Sequence, residues 1–429
     1  MTRHRVVVTG FGVISACGNG WEPYWDSALQ GRSAVREVER LKLNGFSFKY
    51  AGTIRDFDPK QYVENRKSLK VMSREIQLAV GAAKLALQDA GLFGTAYDQS
   101  RFGVTLGTGI INNDLDEIGV GFKNAIDGSG RFSMAKFGQE GVRSLFPLWF
   151  LKYLPNMPAC HVSIAYHLRG PSNTITTSSA AGAQAIGEAY RVIERGDADI
   201  MLAGGTDSKL NAMGISRFHL LGLLSKRAGS PEHVYTPFDE RHDGIVLGEG
   251  AGILVLESLE NAKRRGAPIY AEITGYGSSS DFNFDPRDED DFTGKRVAMR
   301  RALEDAGIEH HDVDVIVANG SGVPQGDIQE ALAIHSFCMG SFDKQSVTAL
   351  KSVTGDLVYG SGGVEAVIAA LIANKRVVPP VTNLKKPYPE CPLPLVRDKA
   401  KSADVTNVMF NNFGFGGQNA SLVFKHVKA

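Results

Sequence analysis

The 429-residue chain has no charge of one sign to spare: 47 lysines and arginines balance 47 aspartates and glutamates. Such a balance excludes the basic stripe of a nucleic-acid binder and the basic patch that holds a protein to an anionic membrane. Cysteine is scarce too. Cys17, Cys160, Cys338 and Cys391 lie far apart with no C-x-x-C pair. Neither a disulfide framework nor a zinc site is expected, no metal or cofactor is called for, and a reducing cytoplasm is the compartment that fits. No apolar run reaches membrane-spanning length. The start, Thr2-Arg-His-Arg5 and an apolar run ending Ile14-Ser-Ala-Cys17, imitates a lipoprotein leader. Gly10 and Gly12 interrupt it, and it reads as a strand entering a loop. What is plentiful is glycine, 48 residues clustered in short loops beside apolar runs. That placement suits tight turns and backbone in close approach.

The length admits two or three average domains, or one large fold of two similar halves. An internal repeat favours the second. Ala86-Leu-Gln-Asp-Ala-Gly-Leu92 recurs as Ala302-Leu-Glu-Asp-Ala-Gly-Ile308, and each copy is followed by a β-branched run and a Gly-x-Gly loop, Val104 to Gly109 and Val315 to Gly322. Each reads as a helix closed by a C′ glycine and followed by a buried strand. Two such α/β halves are expected, 1–260 and 261–429, with the division after the strand Gly250 to Leu256 and before a basic helix (261–265) and a new strand (269–273). The stretch Asp285 to Asp291 is the most polar and reads as a solvated loop.

The chemistry-bearing segment is Asn173-Thr-Ile-Thr-Thr-Ser-Ser-Ala-Ala-Gly182 and the small-residue helix after it. A β-branched strand ends at Thr177 and a helix begins directly, so Ser179 stands near a helix N-terminus, where free N–H groups and the dipole favour negative charge. A nucleophile belongs in such a place. Two serines capping a helix would fit it as well.

At this segment the chain resembles the condensing enzymes of fatty-acid and polyketide synthesis, the β-ketoacyl-carrier-protein synthase II group. The resemblance runs from Arg5-Val-Val-Val-Thr-Gly-Phe-Gly12 through Leu168-Arg-Gly-Pro171, Pro237 to Gly244 and Leu247-Gly-Glu-Gly-Ala-Gly252 to Asn412-Phe-Gly-Phe-Gly-Gly-Gln-Asn419. It implies an α/β thiolase-like fold, two βαβαβαββ halves in a five-layered αβαβα sandwich, and a dimer. It also implies a mechanism in which a cysteine takes the acyl chain from a carrier protein and two histidines promote decarboxylation of a malonyl thioester. Where the family has Thr-Ala-Cys-x-x-Gly this chain has Thr177-Ser-Ser-Ala-Ala-Gly182. The first histidine motif reads Asn319-Gly-Ser-Gly-Val323 and the second Lys351-Ser-Val-Thr-Gly-Asp356. Ser179, Asn319 and Asp356 therefore stand in all three catalytic positions.

These exchanges matter physically. A thiol with a pKa of about 8.5 needs a fall of only a unit or two to ionise at a helix terminus. A serine hydroxyl starts several units higher, and the terminus contributes at most about 2 kcal/mol, so Ser179 needs a general base. Asn319 cannot act as one. Asp356 can only if it reaches Ser179, and its charge opposes a forming enolate. By the same resemblance Lys351 and Glu330 form a structural ion pair. Phe415 is a gate, Phe218 and Trp149 line the acyl pocket unless they are ordinary core aromatics, and Ser321 keeps one of two hydroxyls that grip the carrier's pantetheine. Val323 has lost the other, and Phe282 to Pro286 replaces a family loop. The apolar run Leu145 to Met157 falls at the dimer contact.

The expectation is a non-catalytic subunit similar to a chain-length factor, which pairs with an active ketosynthase, as a heterodimer or else a homodimer, and shapes the acyl tunnel. Acyl carrier protein would be met directly or through the partner. The alternative is an acyltransferase or thioesterase with Ser179 as nucleophile. A third is a homodimeric acyl-binding protein.

Overall fold

The two β-branched runs that follow the repeated helix endings are strands in matching places. The computed structural model describes all residues except 1–2, 39–47, 96, 282–291, 341, 343 and 429, so the Phe282 to Pro286 loop and the polar stretch lie outside it. Ten strands form the path of the eleven-stranded main sheet, the eleventh being the two-residue Gly18–Asn19 paired to the first: β1 (Val6–Ser15), β2 (Phe102–Gly107), β3 (Ser172–Ile175), β4 (Ile200–Ser208), β5 (Glu249–Ser258), β6 (Ala271–Ser280), β7 (Val315–Ala318), β8 (Ser346–Ala349), β9 (Asn407–Phe413) and β10 (Gln418–Lys425). They run in the order β8-β7-β9-β10-β6-β1-β5-β4-β2-β3. Counting within each set of five, that is 3-2-4-5-1 twice, so the faint repeat in the sequence is a repeat of topology. The two sets meet where Val6 to Val8 pairs antiparallel with Ala271 to Ile273.

The helices used below are α1 (Arg74–Asp89), α2 (Leu115–Lys123), α3 (Met157–Tyr166), α4 (Ala181–Glu194), α5 (Ala212–Leu220), α6 (Thr293–Ala306), α7 (Pro324–Phe337) and α8 (Ser361–Lys375). Gly91 (φ 65°) and Gly307 (φ 65°) close α1 and α6 in the left-handed region, as the repeat predicts. Three apolar clusters set the layers. One lies between the α1 and α3 side and the first five strands, one around α4 and α8, and one between the second five strands and α6 with α7. The order is helix, sheet, helix, sheet, helix. Helix α8 is apolar on every side but for Glu365, and buried from Ser361 to Ala373, as the middle layer requires. It meets α4 backbone to backbone: a Cβ on Gly362 would fall 2.4 Å from the Ala183 nitrogen, so the crossing needs glycine.

Boundaries differ from the sequence reading near the site. Strand β3 ends at Ile175 rather than Thr177, and a short turn, Ser178–Ala180, precedes α4. Strand β6 begins at Ala271, two residues later than expected, and the basic helix is Leu259–Arg264.

Candidate functional site

The third strand of each half runs into a central helix, so the topology places Ser179 (after β3, before α4) and the Lys351 to Asp356 turn (after β8, before α8) at equivalent points. The backbone is strained as it approaches each helix. Ser178 has φ 54° and Val358, a β-branched residue, has φ 49°, conformations that persist only where the surroundings impose them. The turns Ser178–Ala180 and Val358–Gly360 pack on one another. The hairpin between β9 and β10 closes over them. A Cβ on Gly414 would sit 3.1 Å from the Ala180 nitrogen and 3.4 Å from that of Ser179, so the Phe413 to Gly417 loop lies against the turn that opens α4.

Ser179 is 1% exposed, and its Oγ has no hydrogen-bond partner among the described residues. Asp356 does not reach it. The Asp356 carboxylate accepts the Val358 N–H (2.8 Å) and the Ser361 hydroxyl (3.1 Å) through Oδ1, while Oδ2 has no described partner. Its backbone is held by Leu247 of the Leu247-Gly-Glu-Gly-Ala-Gly252 motif, since Asp356 N donates to the Val246 carbonyl (2.8 Å) and Gly248 N to that of Asp356 (2.8 Å).

Asn319 is committed elsewhere. Its side-chain oxygen accepts Lys351 Nζ (3.0 Å), the Phe413 N–H (3.3 Å) and Asn412 Nδ2 (3.4 Å), and its carbonyl accepts Lys351 Nζ again (2.8 Å). The ion pair expected between Lys351 and Glu330 is corrected here. Lys351 Nζ lies 3.0 Å from Glu365 Oε1, with both side chains at most 3% exposed. Glu330 instead uses its two oxygens on the loop backbone, accepting Asn319 N (2.7 Å) and Gly320 N (2.8 Å). With both oxygens engaged there, the carboxylate that meets the ammonium comes from α8. Burial pushes the Glu330 and Glu365 carboxyls up to about 7, against the N–H groups on the first and Lys351 on the second.

Ser321 is buried rather than presented. Its hydroxyl bonds Asp327 (3.2 Å) and takes the Val323 N–H (3.2 Å), and Asp327 is braced in turn by Phe238 N (2.8 Å) and His242 Nδ1 (3.0 Å) of the Pro237 to Gly244 motif. Phe218 (on α5) and Phe415 meet edge to face with centroids 6.4 Å apart, in a cluster with Val323, Val358 and Tyr359. Trp149 is not brought there. It packs against Phe150 and Tyr153 in a turn, Trp149–Tyr153, on the outer surface.

Two features escaped the sequence reading. Glu365 was signalled by being the one carboxylate in an otherwise apolar helix, a residue that must find a partner. The second is a buried group beside the site. Lys209 Nζ donates to Asp207 (2.5 Å) and to the Ile110 carbonyl (2.9 Å) and lies 4.9 Å from the Tyr359 ring centroid. Glu75, in the first turn of α1, belongs to the same neighbourhood. Burial raises its carboxyl to about 7, with Lys209 opposing and Asp207 adding to the rise. Between its ordinary value and about 7, the folded chain holds a proton that the unfolded chain has lost, so this group makes stability fall as pH rises through that window. Glu75→Gln should therefore flatten the fall and leave the variant more stable than the parent at pH 8, by on the order of 3 kcal/mol, with little change at pH 4.5. Urea unfolding across pH 4.5 to 8 checks this; equal stabilities at pH 8 would refute it.

Among the described residues no group of side chains has metal-binding geometry, and no helix is long and apolar enough to cross a membrane.

The fold is that of a thiolase-like condensing enzyme. Residues 3–262 match the beta-ketoacyl synthase N-terminal domain and residues 270–385 the C-terminal domain, and the chain belongs to the beta-ketoacyl synthase family. It is 37% identical over 427 residues to 3-oxoacyl-[acyl-carrier-protein] synthase 2 of Staphylococcus aureus (strain N315), covering 99% of each chain. Among solved structures it is similar to the ishigamide ketosynthase/chain length factor (TM-score 0.85, 33% identity, 99% of this chain and 100% of that one). It is also similar to a type II PKS acyl-carrier protein in complex with its ketosynthase bound to the hexaketide (TM-score 0.84, 30% identity, 99% and 100%).

Proposed function

We propose that this chain is the non-catalytic subunit of a condensing-enzyme pair in fatty-acid or polyketide-type elongation, acting as a chain-length factor does. The observation that carries the reading is the isolation of Ser179: a buried hydroxyl with no base among the described residues in hydrogen-bonding reach, while the Asn319 amide is tied to Lys351 and the Asp356 carboxylate to Val358 and Ser361. Without a base the hydroxyl stays protonated and is a poor nucleophile. A carboxylate at position 356 also repels the negative charge that decarboxylation develops.

An exposed apolar surface supports the same reading. Most large apolar side chains that remain exposed lie between 110 and 164, among them Phe122 (44%), Met134 (73%), Phe150 (57%) and Ile164 (69%). Apolar exposure on this scale marks association surfaces. Next to them β3, which pairs only with β2 among the described strands, forms the open end of the sheet. Carrier protein would be met at the pair, with the chemistry done by the partner.

Intact-protein mass spectrometry after incubation with acyl-CoA and acyl-carrier-protein thioesters tests the reading, with Ser179→Ala as control. No adduct is expected on either protein. An acyl mass gained by the parent and lost in the control would establish the serine acyltransferase or thioesterase instead.

A further inference from the structure

Tyr359 sits in the Val358–Gly360 turn, beside the start of α4. Its N–H donates to Asp207 Oδ2 (3.3 Å). Its carbonyl lies 3.0 Å from where a Cβ on Gly182 would fall and 2.4 Å from one on Gly205, so the turn is wedged against the first residues of α4 and the sheet beneath them. The ring is held as tightly as the backbone. A Cβ on Gly109 would lie 1.9 Å from the ring Cζ, so the ring rests on bare backbone after β2. Facing the ring is the Lys209 ammonium, 4.9 Å from the centroid, itself fixed by Asp207 and the Ile110 carbonyl. Val358, Phe218 and Phe415 share the same cluster.

A chain attached at Ser179 and lodged in apolar surroundings would run into this cluster, because the turn that carries Val358 and Tyr359 packs directly on the turn that carries Ser179. The space is taken by a ring between a glycine floor and a buried ammonium. A methylene chain would have to expel the ring to be admitted, at the cost of the ring's contacts with the Gly109 backbone and the Lys209 ammonium. Isolated surface aromatics swing aside easily; this one lies against the Gly109 backbone and beneath an ion-paired ammonium.

We infer that Tyr359, backed by Lys209 and Asp207, closes the apolar pocket beside Ser179, so that this chain admits no acyl group longer than a few carbons and a growing chain is housed elsewhere in the pair. The inference deepens the non-catalytic reading, but the two can fail separately. Acetylation of Ser179 would end the first and leave the closure standing.

The test compares binding of a non-hydrolysable dodecanoyl-pantetheine amide to the full-length parent, Tyr359→Phe and Tyr359→Ala by calorimetry, with thermal melts to verify folding. The parent and Tyr359→Phe are expected to bind alike. Tyr359→Ala is expected to bind at least tenfold more tightly, with no such gain for the acetyl analogue. A folded Tyr359→Ala protein that gains less than tenfold overturns the closure. Should that variant not fold, Tyr359→Leu, which also vacates the ring position, is read by the same criterion.

Discussion

Replacing Lys351 with methionine should lower folding stability by about 3–5 kcal/mol, and by more at pH 8 than at pH 5. The ammonium is 1% exposed and satisfies three acceptors at once: Asn319 Oδ1, the Asn319 carbonyl and Glu365. Methionine fills much the same volume, so the loss is one of charge and hydrogen bonding rather than of packing. It strands a carboxyl that is 2% exposed in the middle helical layer. Burial already pushes the Glu365 carboxyl up to about 7 while Lys351 pulls it down. Without the lysine its folded-state pKa rises further, so the folded chain must keep a proton that the unfolded chain sheds as pH rises. Each further tenfold gain in the carboxyl's proton affinity costs about 1.4 kcal/mol of stability at high pH. The double variant Lys351→Met, Glu365→Leu should recover most of the loss, because an apolar pair of similar volume commonly replaces a buried ion pair at little cost. Urea unfolding of the parent, the two single variants and the double variant at both pH values decides the matter. A loss under about 1 kcal/mol at pH 8, or a double variant no better than Lys351→Met alone, would show that the pair does not hold the turn.

The same pair shows where the sequence could be read and where it could not. The fold was legible because its punctuation is local: a C′ glycine and a β-branched run recur in each half, and the halves then share the strand order 3-2-4-5-1. Ser179, Asn319 and Asp356 could be singled out because each lies inside a contiguous motif. The partner of Lys351 was not, because Glu330 and Glu365 are both buried carboxylates on helices near the loop. Only the observed hydrogen bonds assign Glu330 to the Asn319 and Gly320 backbone and Glu365 to the ammonium. Trp149 and Phe218 pose the same difficulty. Both are aromatic residues in apolar runs, yet Phe218 joins Phe415 and Trp149 lies on the surface. Ser321 kept its hydroxyl and not its availability, since Asp327 and the Val323 N–H occupy it. Identity of a residue type survives in sequence; the direction of its hydrogen bonds is a property of the packed site.

The exposed apolar segment leads to the other large effect. Leu148→Glu together with Phe150→Glu should weaken association with the proposed ketosynthase partner by more than about a hundredfold, without loss of folding stability in the isolated chain. Leu148 is 50% and Phe150 57% exposed, so neither is needed by this chain's own core. The segment that carries them is nevertheless fixed in place. Trp149 packs between Phe150 and Tyr153, and Lys152 anchors the turn to Glu117 on α2 at 2.8 Å. A rigid turn presenting an aromatic and a leucine has the form of an interface anchor, because little ordering entropy remains to be lost on docking. Truncating such anchors typically costs about 2 kcal/mol or more each, roughly thirtyfold in affinity, and a buried unpaired carboxylate adds to it. The open edge of β3 close by offers main-chain groups to a partner strand, although Asn173 Oδ1 already takes the Thr174 N–H at 2.8 Å. The prediction is checked by sedimentation of the chain co-expressed with condensing enzymes from its own source. The parent should travel as a dimer and the double variant as a monomer with an unchanged melting profile. A variant that still forms the dimer at the parent's concentration would move the interface away from this segment, and one that unfolds would mean that the segment belongs to the core of this chain after all.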